Sequence, residues 1–404
     1  MRIGIDATCW ANERGYGRFT RELVGAMVPQ ASAHEFVCFL DDRSAGCFHI
    51  ASPNVTRRVV SQNVSPTVAA SSGSRRSIGD MLRLGNAVRR ARVDVFFSPS
   101  VYGYFPLPPG LPAVVTVHDA IAERFPALTL PTWRDRWSWR AKVWLALAQA
   151  RLVLTVSDYA AREVATHLGV APERLRVTLE GASDAYRPSE TTDEPRAAAR
   201  RLGVPDAARW VMYVGGFGPH KHVDVLVRAH AQVARRQADS PLMLLLAGPN
   251  QDGFHQDLAG IRETIRACGT EDLVKWTGFL PDEELRHLHS GAVALMLVSA
   301  SEGFGLPAVE AARCGTPVIA TTESPLPQLL EGGGIFVTPG DADAIAAAIA
   351  SLLSDEPARR AMGDRALERA RALSWARSGR VVLDALEEAG ATAEKVGSNA
   401  HART

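Results

Sequence analysis

Short runs of Val, Ile and Leu alternate with longer amphipathic stretches along almost the whole chain. The runs show little alternation of polar and apolar residues, which is typical of strands buried on both faces of a parallel sheet. Repeated strand–helix units predict an α/β fold built from doubly wound sheets. The expected strands are 2–6, 35–40, 93–98, 113–118, 152–157, 210–215, 242–248, 274–277, 294–298 and 317–321.

A polar segment interrupts this pattern near the middle of the chain. Residues 186–195 read YRPSETTDEP, with two prolines and no apolar anchor after Tyr186. A length of 404 residues also favours two or three domains. We therefore predict an N-terminal Rossmann-like domain over 1–185, a linker over 186–195 and a C-terminal Rossmann-like domain over 196–372. Residues 373–404 are expected to form a helix capped by Ser374 and a disordered tail.

Composition excludes several classes of protein. The formal net charge of +1 argues against a dedicated nucleic-acid-binding protein. The five cysteines are scattered without a Cys-x-x-Cys pair, so neither a disulfide framework nor a zinc ribbon is expected. The N-terminus lacks the apolar core of a signal peptide, and no apolar run reaches membrane-spanning length. We expect a cytoplasmic enzyme.

The segment over 299–320, SASEGFGLPAVEAARCGTPVIA, has the most chemical potential. A buried strand is followed by a glycine-bearing loop and by Pro307, a residue favoured at the start of a helix. Free N–H groups at such a start attract phosphate. Glu302 and Glu310 flank the loop and suit sugar hydroxyls better than phosphate, because like charges repel. From spacing alone, an ordinary strand–helix connection with two surface glutamates explains the segment equally well.

The pair Glu302 and Glu310, with seven residues between them, resembles the signature of the family-4 retaining glycosyltransferases. Their fold is GT-B, in which two doubly wound Rossmann-like domains face each other across a cleft. The stretch 213–221, YVGGFGPHK, resembles the family's glycine turn and phosphate-binding lysine, and 373–375 resembles its closing helix, which returns to the first domain. Many members have Arg where this chain has Gly216, and Pro-Glu where it has Pro327-Gln328.

The resemblance implies roles for individual residues. The C-terminal domain is expected to bind a nucleotide sugar through Gly215, Gly216, Lys221, Phe279, Leu280, Glu302, Phe304, Gly305, Leu306 and Glu310. His118, Lys221 and Glu302 are the expected catalytic residues. In the N-terminal domain, Gly15, Tyr16, Gly17 and Arg18 resemble the family's flexible glycine loop after the first strand, which would serve the acceptor and phosphate.

The implied reaction transfers a sugar with retention to a saccharide or lipid-linked acceptor, without a metal or other cofactor. GDP-mannose leads among the donors because the chain resembles bacterial mannosyltransferases of surface-polysaccharide synthesis; UDP-glucose, UDP-N-acetylhexosamine and dTDP-rhamnose follow. A nucleotide-sugar epimerase of the same fold and a non-catalytic nucleotide-sugar binder are alternatives. A dinucleotide-binding dehydrogenase fails, because Gly15-Tyr-Gly17 is followed by Thr20 where the third glycine is required.

Two weaker signals have an ordinary structural interpretation. Without the family resemblance, His118 at a strand end is better explained as a satisfied structural histidine. Ser157 at the start of the next helix is better explained as an N-cap. Asp41-Asp42 has no context for a metal site, and we expect no divalent ion.

The segment 132–148 holds four of the eight tryptophans together with Arg134, Arg136, Arg140 and Lys142. Trp133, Trp137, Arg140 and Trp144 share one helical face. Such a helix either lies on an anionic membrane or packs on the core with its arginines solvated. We favour packing. Further arginines increase the positive charge of the same half and keep peripheral membrane contact open: Arg75, Arg76, Arg83, Arg89, Arg90 and Arg92.

Overall fold

The computed structural model describes residues 1–13, 15–63, 77–236, 240–249 and 256–401, the last ten of these by their backbone alone. The chain divides into two compact units. One comprises Met1–Glu180 and Trp375–Thr404, and the other comprises Gly181–Ser374. Arg75 and Arg76 lie outside the described residues.

The N-terminal unit is built on seven parallel strands in the order β3-β2-β1-β4-β5-β6-β7. The four central strands are buried along almost their whole length, as their continuous apolar sequences predict. The strands are β1 (Arg2–Asp6), β2 (Glu35–Leu40), β3 (Val55–Val59), β4 (Val95–Ser98), β5 (Ala113–Thr116), β6 (Ala150–Thr155) and β7 (Leu175–Val177).

Helices cover this sheet, and the last helix of the chain belongs to this unit. Trp375, the first residue of that helix, packs its ring edge-on against Phe19 at 5.8 Å. Ser157 caps its helix by accepting a hydrogen bond from the N–H of Ala160 at 3.0 Å, as predicted. The helices are α1 (Gly15–Met27), α2 (Asp42–Cys47), α3 (Ile78–Ala91), α4 (Ile121–Arg124), α5 (Pro126–Thr129), α6 (Trp133–Gln149), α7 (Asp158–Leu168) and the C-terminal Trp375–His401.

The C-terminal unit contains six parallel strands in the order β10-β9-β8-β11-β12-β13. These strands are β8 (Arg209–Val214), β9 (Leu242–Ala247), β10 (Val274–Gly278), β11 (Leu295–Leu297), β12 (Val318–Thr321) and β13 (Gly334–Val337). Its helices are α8 (Asp193–Arg201), α9 (Val223–Ala234), α10 (Leu258–Cys268), α11 (Asp282–Gly291), α12 (Leu306–Arg313), α13 (Leu326–Leu329), α14 (Ala342–Ser354) and α15 (Glu356–Arg371). Short 3-10 turns at 28–30, 101–103, 172–174, 219–221 and 271–273 complete the two units.

The strand order reverses direction once in each sheet. In the C-terminal unit, β8 lies between β9 and β11, so the chain winds first one way and then the other from β8. In the N-terminal unit, β1 lies between β2 and β4. Ligands of open parallel sheets bind outside the carboxyl ends of strands at such a reversal. In the C-terminal unit, the reversal therefore points to the loops after β8 and β11 as the place for a ligand.

The segment 186–195 is not an extended linker. Tyr186 is fully buried, and its hydroxyl donates to Asp282 Oδ1 at 3.0 Å. Ser189 is bonded through its backbone N–H to the Ser290 hydroxyl, and α8 begins at Asp193. The buried Tyr186 ring anchors the segment, although the residues after it are polar. The segment belongs to the C-terminal unit, whose first residue is Gly181.

The expected packing of the tryptophans of α6 is wrong for three of the four. Trp139 is buried, whereas Trp133, Trp137 and Trp144 are 72%, 69% and 70% exposed. The core side of the helix is filled by Trp139, Val143 and Ala146. Trp133, Trp137 and Trp144 lie on a different face of the helix, which does not meet the core.

Candidate active site

The turn after β8 is shaped by two successive glycines with different surroundings. Gly215 has φ +155°, and a Cβ there would meet the Tyr213 hydroxyl at 2.9 Å. A Cβ at Gly216 would meet no atom within 4 Å. Gly215 is therefore required by close packing, whereas Gly216 borders open space.

Tyr213 supports this turn from below. Its ring is fully buried and its hydroxyl donates a hydrogen bond to the carbonyl of Gly216. Burial, and secondarily the charge of Glu302, raise the pKa of Tyr213 well above its ordinary value. The phenol therefore stays protonated and continues to donate.

Glu302 is the centre of the polar contacts after β11. Its Oε1 accepts from Lys221 Nζ at 2.6 Å and from the Ser299 hydroxyl at 2.6 Å. Its other oxygen, Oε2, accepts no hydrogen bond from any residue that the structure describes. The side chain is 11% exposed and that of Lys221 is 20% exposed. One oxygen thus fixes the carboxylate and the other is available to a ligand.

Backbone bonds join the two loops that carry this pair. The Ala300 N–H donates to the carbonyl of His220 at 2.8 Å, which links the β11 loop to the turn holding Lys221. The Glu302 N–H donates to the carbonyl of Glu323 at 3.0 Å. The ammonium and the carboxylate are therefore held by a backbone framework at the strand-order reversal.

The start of α12 presents unused donors. Gly305 has φ +90°, and a Cβ there would lie 2.8 Å from Leu326. The helix begins at Leu306, one residue before the predicted start, and Pro307 occupies its second position. Within the described chain, no backbone carbonyl accepts from the N–H groups of Phe304, Gly305 or Leu306. These donors and the helix dipole suit an anion.

Glu310 lies on α12 one turn beyond those donors and is only 4% exposed. Burial, and secondarily the charge of Glu310, raise the pKa of the neighbouring Cys314 thiol to about 12. A thiol with that pKa stays protonated near pH 7 and adds no second negative charge. The negative charge at this point of α12 therefore comes from Glu310 and not from Cys314.

The predicted base-binding residues follow β10. Gly278, in the left-handed region at φ +72°, turns the chain at the end of the strand. Phe279 is 57% exposed, whereas Leu280 is buried. Phe279 therefore presents an aromatic face to solvent beside a buried leucine.

His118 lies in the N-terminal unit, just after β5. Its Nε2 is 3.0 Å from the carbonyl oxygen of Pro99, which can only accept, so Nε2 carries a proton. Its Nδ1 lies 3.6 Å from Oε1 of the buried Glu180. The ring also makes an edge-on contact with Phe19 at 4.6 Å. Both nitrogens and the ring face are engaged within the unit, so the position of His118 is well determined.

The expected flexible loop over 15–18 is helical instead. Gly15, Tyr16, Gly17 and Arg18 form the first turn of α1. A Cβ at Gly17 would lie 2.0 Å from the carbonyl oxygen of Asn12, so this glycine permits close backbone contact. The preceding turn is tied down by Arg21, which donates to the carbonyls of Trp10 and Asn12.

The predicted residues divide between the two units. Gly215, Gly216, Lys221, Phe279, Leu280, Glu302, Phe304, Gly305, Leu306 and Glu310 lie in the C-terminal unit, and Gly15, Tyr16, Gly17, Arg18 and His118 lie in the N-terminal unit. Direct hydrogen bonding joins Lys221 to Glu302. Sequence reasoning gave no role to Ser299, Tyr213 or Glu180. The position of Ser299 at a strand end was a usable signal, whereas the contacts of Tyr213 and Glu180 depend on the fold.

The described residues offer neither a metal cluster nor a membrane-spanning helix. They contain no group of three or more His, Cys, Asp or Glu side chains placed to share a metal ion. Among their helices, none combines the length and apolar character needed to cross a bilayer.

Two family models match the chain, one for each unit. Residues 196–369 match the family model "Glycosyl transferases group 1", and residues 14–183 match "Glycosyltransferase Family 4". The chain is 29% identical over 298 residues to the O-antigen chain mannosyltransferase B of Escherichia coli, covering 72% of this chain and 73% of that one. It is 30% identical over 270 residues to a D-inositol 3-phosphate glycosyltransferase of Corynebacterium aurimucosum, covering 66% of this chain and 63% of that one.

A solved structure shows the same fold over nearly the whole chain. Anabaena HepE in complex with UDP-glucose superposes with a TM-score of 0.74 at 18% identity, covering 96% of this chain and 99% of that one. One assignment follows from two α/β units that each contain a parallel sheet, from the paired Glu302 and Glu310, and from the two family models. The chain belongs to the family-4 glycosyltransferases and has the GT-B fold.

Proposed function

We propose that the chain is a retaining hexosyltransferase that moves a sugar from a nucleotide donor to a saccharide or lipid-linked saccharide. GDP-mannose is the first donor to test, and the similarity to an O-antigen chain mannosyltransferase supports it. The UDP-glucose complex of HepE supports including UDP-linked donors in the test.

The observation that carries the proposal is that the two carboxylate oxygens of Glu302 have different surroundings. Lys221 and Ser299 hold Oε1, and Oε2 has no partner among the described residues. With the carboxylate fixed through Oε1, its other oxygen, Oε2, is a strong acceptor for a sugar hydroxyl. The N–H groups of Phe304, Gly305 and Leu306 lie two to four residues further along the chain and suit the attached diphosphate.

The proposed chemistry breaks the bond between the anomeric carbon of the sugar and the diphosphate oxygen. Negative charge then grows on the diphosphate, and Lys221 with the amides opening α12 stabilises it without a metal ion. An acceptor hydroxyl attacks the anomeric carbon from the face that the diphosphate leaves, and its proton passes to the departing phosphate. This front-face course retains the anomeric configuration.

The remaining predicted residues bind the rest of the reactants. Glu310 accepts from the ribose hydroxyls, and Phe279 with Leu280 holds the nucleobase. His118 contacts the reacting sugar, and its Nε2 bond to Pro99 fixes its ring. The first turn of α1 serves the acceptor.

A panel of nucleotide sugars tests this function. Each donor is assayed for thermal stabilisation, because binding to the folded state raises the midpoint by mass action, and then for products with and without saccharide acceptors. We expect one donor class to stabilise the protein and to yield a glycosylated acceptor with the anomeric configuration of the donor. Epimer formation without acceptor, an inverted product or binding without any product would each overturn the proposal.

A further inference from the structure

The outer face of α6 exposes three tryptophans of the N-terminal unit. Trp133, Trp137 and Trp144 are each about seven-tenths exposed, although burial of a tryptophan side chain strongly favours folding. They lie at positions i, i+4 and i+11, so they form a single stripe along the helix. The stripe extends over about 17 Å at 1.5 Å per residue. An apolar surface of this kind marks an interaction site.

The charges around this stripe are positive. Arg134 stacks on the Trp133 ring at 5.5 Å, and Arg136 and Arg140 line the shallow trough between the rings. The one acidic residue of the helix, Asp135, already accepts from the Thr132 hydroxyl at 2.6 Å. A face that combines indole rings with guanidinium groups matches the headgroup region of an anionic bilayer, where tryptophan is enriched and arginine meets phosphate.

The inner face of the same helix leads to the predicted acceptor region. Trp139 packs against Tyr102 at 5.0 Å, and Tyr102 stacks on Tyr16 at 5.7 Å. Lys142 donates to the carbonyl of Tyr102 at 3.1 Å and fixes this contact. With a helix diameter of about 10 Å, Tyr16 lies within about 20 Å of the tryptophan stripe.

We propose that the outer face of α6 binds the surface of an anionic lipid bilayer and so places the first turn of α1 close to that surface. This inference deepens the proposed function, because it supplies a reason for a lipid-linked acceptor to be presented at Tyr16. Vesicle binding itself requires neither a donor nor turnover, so failure of the transferase proposal would leave it measurable.

Flotation of the full chain tests the proposal with vesicles of phosphatidylcholine alone and of phosphatidylcholine with phosphatidylglycerol. We expect partition into the mixed vesicles that weakens as salt is raised. Replacing all three tryptophans (Trp133→Ser, Trp137→Ser, Trp144→Ser) should lower the partition coefficient about tenfold or more. The pair Arg134→Ser and Arg140→Ser should lower it about tenfold on mixed vesicles only.

The matched control is Arg57→Ser with Arg58→Ser. This pair removes the same charge from exposed positions of β3, at the far edge of the same sheet, and should leave partition unchanged. Quenching of the wild-type tryptophan fluorescence by brominated lipids gives a measurement that needs no variant.

Two results would overturn the proposal. One is a wild-type protein that stays with the buffer fraction and is not quenched. The other is a wild-type protein that does not bind vesicles but self-associates in sedimentation velocity, with the self-association lost in the triple tryptophan variant. The stripe would then bind a second copy of the chain.

Discussion

Lys221 and Glu302 form an ion pair, with 2.6 Å between Nζ and Oε1, although they are 81 positions apart in the chain. The pair is placed where β8 and β11 lie side by side and the strand order reverses. Its two members have complementary tasks in the proposed reaction. The carboxylate orients the sugar, and the ammonium stays close to the bond that breaks.

Replacement of Lys221 by Ala should act mainly on turnover. The side chain stabilises charge that develops as the diphosphate leaves, so we expect kcat to fall about 100-fold. Nucleotide affinity should change by less than about tenfold. Steady-state kinetics and calorimetric titration with the donor measure the two quantities. Arg228→Ala, which removes an exposed cation of the same unit, is the control; unchanged turnover in Lys221→Ala would contradict the leaving-group role.

Replacement of Glu310 by Gln should act mainly on binding. The ribose hydroxyls would lose a charged acceptor, so the Kd for the nucleotide should rise about tenfold or more. Calorimetric titration with the free nucleotide isolates this contact from the sugar. The matched change Glu331→Gln alters an exposed glutamate of the same unit. Equal affinities in wild type, Glu310→Gln and Glu331→Gln would remove Glu310 from the site.

The two glycines after β8 should respond in opposite ways. Gly215→Ala forces a Cβ toward Tyr213 at a positive φ and should reduce the free energy of unfolding by about 1–3 kcal/mol. Gly216→Arg enters open space and should change stability by less than about 0.5 kcal/mol. The new guanidinium should also tighten diphosphate binding at low salt. Denaturant unfolding and nucleotide titration check both expectations, and equal destabilisation by the two variants would contradict the geometry of the turn.

Two buried histidines should make the stability of the C-terminal unit depend on pH. Burial lowers the pKa of His230 to about 4 and that of His289 to about 3, against about 6.5 in the unfolded chain. Below pH 6.5 these two histidines bind protons in the unfolded state but remain neutral in the folded state until the pH falls to their lowered pKa values. Their contribution is therefore complete above about pH 6.5 and is lost as the pH falls toward 4, at up to about 1.4 kcal/mol per pH unit for each group.

His289→Phe isolates one of these contributions. Neither nitrogen of His289 has a hydrogen-bond partner in the described chain, so replacement by phenylalanine removes no hydrogen bond there. Denaturant unfolding between pH 7 and pH 4 should show a shallower loss of stability in the variant than in the wild type. Parallel curves would mean that His289 titrates normally in the folded protein.

The central strands could be predicted from sequence, whereas three of the four edge strands could not; the exception is β10. All ten predicted strands are confirmed, with ends shifted by at most two residues. The missed strands, β3, β7 and β13, all lie at sheet edges. An edge strand such as Val55–Val59 is exposed along much of its length, so its sequence lacks the continuous apolar run that identifies a buried strand.

Side-chain environments were predictable only where local geometry determines them. The glycine at 305 and the donors that follow it depend on a strand–loop–helix pattern, which short-range sequence carries. The helical start at Gly15 depends on a contact between Gly17 and Asn12, and the exposure of Trp133 depends on which face of α6 meets the core. Neither a single close backbone contact nor the choice of the buried helix face leaves a periodic signal in the sequence.

We propose that the amides opening α12 bind a nucleotide sugar between Glu302 and Glu310. Nuclear magnetic resonance of nitrogen-15-labelled protein, titrated with the donor that stabilises the fold, tests it most directly. We expect large, saturating shifts of the Phe304, Gly305 and Leu306 N–H signals that follow the calorimetric binding curve. Saturated binding that leaves these three signals unmoved would contradict it.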